Sequence, residues 1–376
     1  MLPYGRQSID QDDIDAVVGV LKSPWLTTGP KVTEFEDAVA LYVKAEYAVA
    51  VSSGTAALHC AMAAIGIATG DEVIVPAITF LATANCVVYQ RAKPVFADVC
   101  PDTLLIDPDS VRSLITANTK AIIAVDYAGQ PCDYDTLRAI ANENEIALIS
   151  DACHSLGATY KKSPVGVLAD ITVFSFHPVK IIAAGEGGML VTNNKAYVEF
   201  SRSFRNHGMS IDQHQRTKDG VWHYEMKSPG YNYRMSDLHA VLGLSQLSKL
   251  PDFLKRRNEI ASLYDAAFKG SALIQPLAVR SPGQHAWHLY VVMVNEQEIS
   301  RDTLFAFLRE KGIGVNVHYY PVHLQPYYRE QQGCAEGDCP VAESTAQKLL
   351  SLPLFPAMGD KDVQKVIDTV KSVLLK

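Results

Sequence analysis

Seven cysteines are scattered along the 376 residues, an odd number with no regular spacing. A disulfide framework is therefore excluded as the basis of the fold. Cys334 and Cys339 lie close, but no His or Cys partner completes a zinc pattern, so no metal is expected. There is no basic block, and the formal net charge is −7, which excludes a nucleic-acid footprint. No apolar stretch is long and uncharged enough to span a bilayer. The first residues, Met1 to Arg6, lack the apolar core of a signal peptide, so a cytoplasmic location is expected. Internal repeats and low-complexity tracts are missing as well. What remains is an ordinary globular composition, 48% hydrophobic and 20% charged, on a chain long enough for two domains.

Short apolar runs alternate with helical periodicity. Strands are expected at 48–51, 73–75, 95–96, 121–125, 146–149, 171–176 and 187–191. Between them, helices are expected near 56–65, 79–89, 108–115 and 134–141. Such alternation implies a mostly parallel sheet covered on both faces. Before the first strand, Ser8 with Gln11 and Thr33 with Glu36 read as capping boxes for two helices. After the last, helices are expected at 196–204 and 237–247, with a mobile polar loop at 210–220. A long helix from Pro251 to Phe268 bridges to a smaller domain. That domain is expected to hold strands at 290–294 and 314–317 and helices at 303–310, 342–350 and 362–374. The division is thus 1–250 and 251–376.

Two of these strands carry chemistry at their carboxyl ends. Asp151 closes the run Ile146 to Ile149, and Lys180 follows the run Ile171 to Phe176. Buried parallel strands place functional side chains there, so both residues can face one crevice. An acid and a lysine meeting in a crevice are what pyridoxal phosphate (PLP) needs. The lysine forms the Schiff base and the acid keeps the pyridine nitrogen protonated. Either residue alone reads as a surface lysine or a capping aspartate. Upstream, Ser52-Ser53-Gly54-Thr55 turns a strand into a helix. Backbone N–H groups at such a helix N-terminus bind phosphate, although a plain capped turn has the same composition.

Five stretches together resemble the fold-type-I, PLP-dependent sugar-nucleotide aminotransferases. They are Ser53-Gly54-Thr55-Ala56-Ala57-Leu58, Thr79-Phe80-Leu81-Ala82-Thr83-Ala84-Asn85, Asp151-Ala152-Cys153-His154, Ser175-Phe176-His177-Pro178-Val179-Lys180 and Gly185-Glu186-Gly187-Gly188. The resemblance runs over essentially the whole chain. It implies an α/β fold with a mostly parallel central sheet and a smaller α+β C-terminal domain. It also implies a cytosolic homodimer that passes through pyridoxamine phosphate, with L-glutamate as amino donor. Three further stretches resemble the pseudaminic-acid branch of the family: 3–10, 317–328 and 350–356. Members of that branch aminate the C4 ketone of a UDP-linked 4-keto-6-deoxy-N-acetyl-altrosamine. One stretch departs from the family: Ile181-Ile182-Ala183-Ala184 stands where a His and a Thr pair are expected.

The resemblance implies roles residue by residue. Lys180 carries the cofactor and Asp151 pairs with its ring nitrogen. Ser53, Gly54, Thr55, Ala56 and Ser175 surround the phosphate, and Asn232 reaches it from the second subunit. Phe80 stacks on the ring, and His154 reaches its 3′-oxygen. Tyr4, Trp25, Leu26, Thr27, Thr28, Asn316, His318 and Tyr319 meet the sugar nucleotide. From the residues alone, Phe80 and His154 read equally as core packing and Asn232 as a turn.

Other readings compete. One is amination of a different nucleotide-linked 4-keto or 3-keto sugar, for a surface polysaccharide or an antibiotic. A related sugar dehydratase would carry His where Lys180 stands. A cofactor-bound regulatory protein would not need both Lys180 and Asp151.

Overall fold

The computed structural model describes residues 1–210, 220, 222–280 and 282–375. The interior of the expected mobile loop at 210–220 lies outside the described residues. Two helices open the chain, α1 (Gln11–Leu21) and α2 (Pro30–Val43). Neither starts at the expected cap. Asp10, not Ser8, caps α1, exchanging hydrogen bonds with Asp13. Proline at the first position starts α2 upstream of Thr33, because its fixed φ suits a helix's first turn. Glu36 is thereby carried into the interior, where Arg202 and Arg205 pair with it.

The central sheet has seven strands: β1 (Tyr47–Val51), β2 (Glu72–Pro76), β3 (Lys93–Ala97), β4 (Thr119–Val125), β5 (Ala147–Asp151), β8 (Ile171–Ser175) and β9 (Gly188–Thr192). A small hairpin, β6 (Thr159–Tyr160) and β7 (Ser163–Pro164), interrupts that series. Strand order is β1-β9-β8-β5-β4-β2-β3. Only β9 runs against the rest, pairing antiparallel with β1 and β8. Helices α3 (Gly54–Ala64), α4 (Leu81–Tyr89), α5 (Pro108–Leu114), α6 (Tyr134–Glu143) and α7 (Lys195–Phe204) connect and cover the strands. The inner strands are apolar without alternation: Val73, Ile74, Val75, Ile122, Ile123, Leu148 and Ile149 are all fully buried. A sheet covered on both faces requires that pattern.

Register brings the strand ends level. Val125 pairs with Asp151, and Asp151 with Val173. Two residues beyond Val173, Ser175 closes β8 and the Lys180 loop begins.

The helix Asp237–Ser248 packs on α1 and α2, and the helix Leu250–Phe268 leads to a second sheet. That sheet has the order β10-β11-β12, from β10 (Ile274–Pro276), β11 (Tyr290–Val294) and β12 (Leu349–Leu352). Its core runs from Ile260 to Val370 and includes Leu304 and Leu308 of the helix Arg301–Glu310. The last α-helix, Asp360–Lys371, is followed by a 3-10 turn at Ser372–Leu375. Two expectations fail here. The expected strand 314–317 forms only one isolated pairing, Asn316 with Ser351. Its edge is taken by the N-terminal arm: Leu2 donates to Gly312 O and accepts from Gly314 N. The expected helix 342–350 ends at Ala346, because Leu349 to Leu352 are buried as strand β12 against β11. An apolar run that short does not reveal its period.

The segment 322–346 turns back onto the large sheet. Val322, Tyr328, Cys339 and Ala342 belong to its core, and the Tyr328 hydroxyl donates to Asn85 Oδ1 at 2.6 Å. The stretch 316–320 just before it, with Gln325, closes a cavity over the carboxyl ends of β4, β5 and β8. Among the described residues, no helix is long and apolar enough to cross a membrane, and no cluster suits a metal ion.

Candidate active site

The cavity has a volume of about 600 Å³. Its floor is the Asp151 carboxylate, buried at 6% exposure at the end of β5. Thr83 Oγ1 donates to Asp151 Oδ2 at 2.7 Å, and Thr83 is linked in turn to Thr79 Oγ1 at 2.8 Å. The Cys153 amide donates to Asp151 Oδ1 at 3.3 Å. A buried carboxylate needs such donors.

Lys180 enters the same cavity. Its loop leaves β8 at Phe176 and returns at Gly187, whose carbonyl accepts from Phe176 N at 2.9 Å. The fully buried Phe176 ring, 4.9 Å from Phe35, anchors that loop. Burying such a ring contributes roughly 1.5–3 kcal/mol. Ile181, Ile182 and Ala184 belong to the same core and Ala183 is buried beside them in sequence, so the departure from the family pattern fills the interior and not the cavity. Burial lowers the Lys180 pKa, while Cys153 and Asp151 push it back up. The ammonium is thus brought toward deprotonation beside an acid.

The start of α3 forms one wall. Ser53 caps it, its Oγ accepting from Ala56 N at 3.1 Å. Ser53, Gly54 and Thr55 line the cavity; Ala56 does not. A Cβ on Gly54 would lie 2.9 Å from Ser175 Cβ and 3.1 Å from Cys153 Sγ. Only glycine lets this helix N-terminus sit against the end of β8. Phe80 precedes α4, lines the cavity and is 56% exposed, so it is no core residue in this chain.

His154 follows Asp151 in a tight turn and is 4% exposed. Its Nε2 shares a hydrogen bond with the Tyr319 hydroxyl at 3.2 Å. Burial drives its pKa well below the ordinary histidine value, and Lys180 and His318 add to the effect. Tyr4, Asn316, His318 and Tyr319 form the opposite wall. His318 Nδ1 is hydrogen-bonded to Ser351 Oγ at 2.8 Å, and Asn316 Nδ2 lies 3.3 Å from His318 Nε2.

Trp25, Leu26, Thr27, Thr28 and Asn232 do not line the cavity of their own chain. Thr27 bridges to Ser236 and the exposed Asn232 to Asn206, so the loop and the asparagine meet the two ends of one segment, 232–236. Sequence reasoning missed Thr83, His177, Glu186 and His288. Thr83 had a signal, lying one helical turn beyond Phe80. His288 had none beyond its place before an apolar strand.

Residues 7–371 match the model of the DegT/DnrJ/EryC1/StrS aminotransferase family. The chain is 44% identical to the spore coat polysaccharide biosynthesis protein SpsC of Bacillus subtilis, covering 99% of this chain and 97% of that one. Among solved structures, Helicobacter pylori PseC, an aminotransferase involved in the biosynthesis of pseudoaminic acid, superposes with TM-score 0.93 at 31% identity, covering 99% and 98% of the two chains. Streptococcus pneumoniae Spr1654 in its PMP form gives TM-score 0.93 at 35% identity, covering 99% of each chain. Its PLP form gives 0.92 at 34%, covering 99% of this chain and 98% of that one. With an acid, a lysine and a glycine-opened helix end on one cavity, and with a match from residue 7 to 371, the chain belongs to the DegT/DnrJ/EryC1/StrS aminotransferase family.

Proposed function

We propose that this PLP-dependent sugar aminotransferase moves an amino group from L-glutamate to the C4 ketone of a UDP-linked 4-keto-6-deoxy-N-acetyl-hexosamine. The product is then UDP-4-amino-4,6-dideoxy-N-acetyl-β-L-altrosamine, of the pseudaminic-acid branch. One observation carries the reading: Tyr4 and His318, from opposite ends of the chain, meet over the cavity that holds Lys180 and Asp151.

The residues present fit PLP. The cleft left by Gly54 against Ser175, the buried acid and the lysine of lowered pKa are the features such a cofactor needs. When bound, PLP supplies a ring that draws electrons from the donor's Cα. Lys180 would hold the group through Nζ, and its lowered pKa would let it take and return the proton at the donor's Cα. Asp151, oriented by Thr83, accepts from the ring nitrogen. Ser53, Gly54, Thr55 and Ser175 hold the phosphate, while the Ala56 amide already serves the Ser53 cap. Phe80 would cover the group on one side, and His154, tied to Tyr319, would offer it a polar contact. Asn232 of the partner subunit completes the phosphate site, and the 25–28 loop that borders segment 232–236 enters with it. Tyr4, Asn316 and His318 then face the sugar nucleotide.

The relative SpsC supports a second reading, a different nucleotide-linked keto-sugar made for a surface polysaccharide. Purified protein given L-glutamate and a panel of nucleotide 4-keto and 3-keto sugars decides between them, with mass spectrometry of the products. Amination of the UDP-linked N-acetylated 4-keto sugar is expected. Preference for a sugar lacking the N-acetyl group would favour the second reading. Borohydride reduction should fix the cofactor on Lys180, and label on another lysine refutes the site.

A further inference from the structure

His288 lies in the cavity wall just before β11, with no part in the reading above. It is 5% exposed, and its ring centroid is 4.3 Å from that of His154, tilted by 43°. Nδ1 of each ring is buried without a hydrogen-bond partner. Two unpaired buried nitrogens are costly, so the wall suits a polar group arriving from the cavity side.

The contact is built from both sides. At Gly129, φ is +103°, and a Cβ there would lie 2.9 Å from His154 O and 3.0 Å from His288 N. Ala286 N donates to Gly129 O at 2.9 Å and Leu289 N to Ala128 O at 3.2 Å. Behind them Arg257, 2% exposed, donates through Nη1 to the carbonyls of Trp287 (3.0 Å), His288 (3.3 Å) and Leu354 (3.1 Å). The backbone thus holds His288 against His154 from two directions.

We propose that His288 is a positioning residue for the amino transfer, backing His154 so that its imidazole keeps one orientation toward the cofactor. The inference rests on the reading of His154 given above. The titratable and charged groups facing the pair are Lys180 beyond β8, His318 and Tyr319 of the stretch 316–320, and Arg257 from the helix behind, with Asp151 at the end of β5 on the floor of the same cavity. Burial and the neighbouring cations hold both imidazoles neutral. A small side chain at 288 admits water to His154 and returns its pKa toward the ordinary value. A charged imidazole then stands beside Lys180 in mildly acidic buffer.

The test compares the holoenzyme with His288→Ala, His288→Asn and His288→Phe, reading the bound cofactor's absorbance against pH. In His288→Ala the acid-side change should move up by about one pH unit, an ordinary scale for a histidine environment. The glutamate half-reaction should slow by between about tenfold and a hundredfold with little change in KM, as expected when a catalytic contact is misplaced. His288→Asn, which keeps a polar group, should recover part of both. If His288→Phe recovers as much, the residue is only a filler and the proposal falls. An unshifted titration in His288→Ala overturns it too. Should that variant not fold, the Asn and Phe pair decides. Absence of any cofactor band from the unsubstituted protein overturns the PLP site itself and this inference with it.

Discussion

The ring of Tyr4 lies 5.3 Å from that of His318. The N-terminal arm makes this possible by pairing Leu2 with Ile313, which carries Tyr4 to the cavity mouth. Leu354 N fixes the arm further by donating to Tyr4 O at 3.0 Å. Truncating Tyr4 or His318 should raise KM for the keto-sugar far more than for glutamate. A lost hydrogen-bond partner costs about 1–3 kcal/mol, roughly tenfold to over a hundredfold in affinity. Stopped-flow absorbance follows the glutamate half-reaction alone. If His318→Ala slows that half as severely, His318 serves the catalytic machinery or the fold and not the sugar.

Asp151 depends on Thr83, whose hydroxyl is 2.7 Å from Oδ2. Asp151→Asn or Asp151→Ala should cripple turnover more than cofactor retention, since the phosphate site proposed at the start of α3 is left unchanged. Thr83→Val keeps the shape and removes one donor to a charged group, a loss of about 1.5–3 kcal/mol. Its turnover should fall between that of the unsubstituted protein and that of Asp151→Ala. Near-normal turnover in Asp151→Ala would sink the assignment.

Asn232 is exposed and outside its own chain's cavity. Mixing Lys180→Ala with Asn232→Ala subunits should therefore restore part of the activity. Each mixed dimer then holds one intact site and one doubly damaged site. Verified mixed dimers without recovery show that Asn232 does not act across an interface.

Stability should fall in mild acid. Burial lowers the pKa of His59 to about 4, and burial with Lys180 does the same for His318. The unfolded chain takes up these protons as pH drops below about 6.5, and the folded chain does not until near pH 4. Stability from these groups is thus complete above about pH 6.5 and lost as pH falls through that window, by about 2 kcal/mol each at pH 5. Asp126 acts in the opposite sense. Burial raises its pKa to about 6, so the folded form keeps a proton that the unfolded form releases. Its compensation by pH 5 is about 1.4 kcal/mol, smaller than the two histidines together. The urea midpoint should be lower at pH 5 than at pH 7, and an equal or higher midpoint would show these histidines to be hydrated.

Much of the large sheet was legible because each inner strand is a short apolar run closed by turn residues. The ends of β5 and β8 pointed to Asp151 and Lys180, since a strand's end is a local property. Caps were less legible: Ser8 and Asp10 are both acceptable caps, and packing of α1 on the helix Asp237–Ser248 accompanies the choice of Asp10.

By itself, then, the sequence determined the strand–helix alternation, the two chemical residues and the helix end opened by Gly54. Each depends on neighbours within a few positions. The tertiary structure alone decided that Leu349 to Leu352 form a strand, that Leu2 takes the edge at Gly314, and that Thr83 and His288 reach the site. Those outcomes depend on which distant segment fills a given edge or wall. Long-range pairing of that kind is set by the burial of whole faces, which no local pattern encodes.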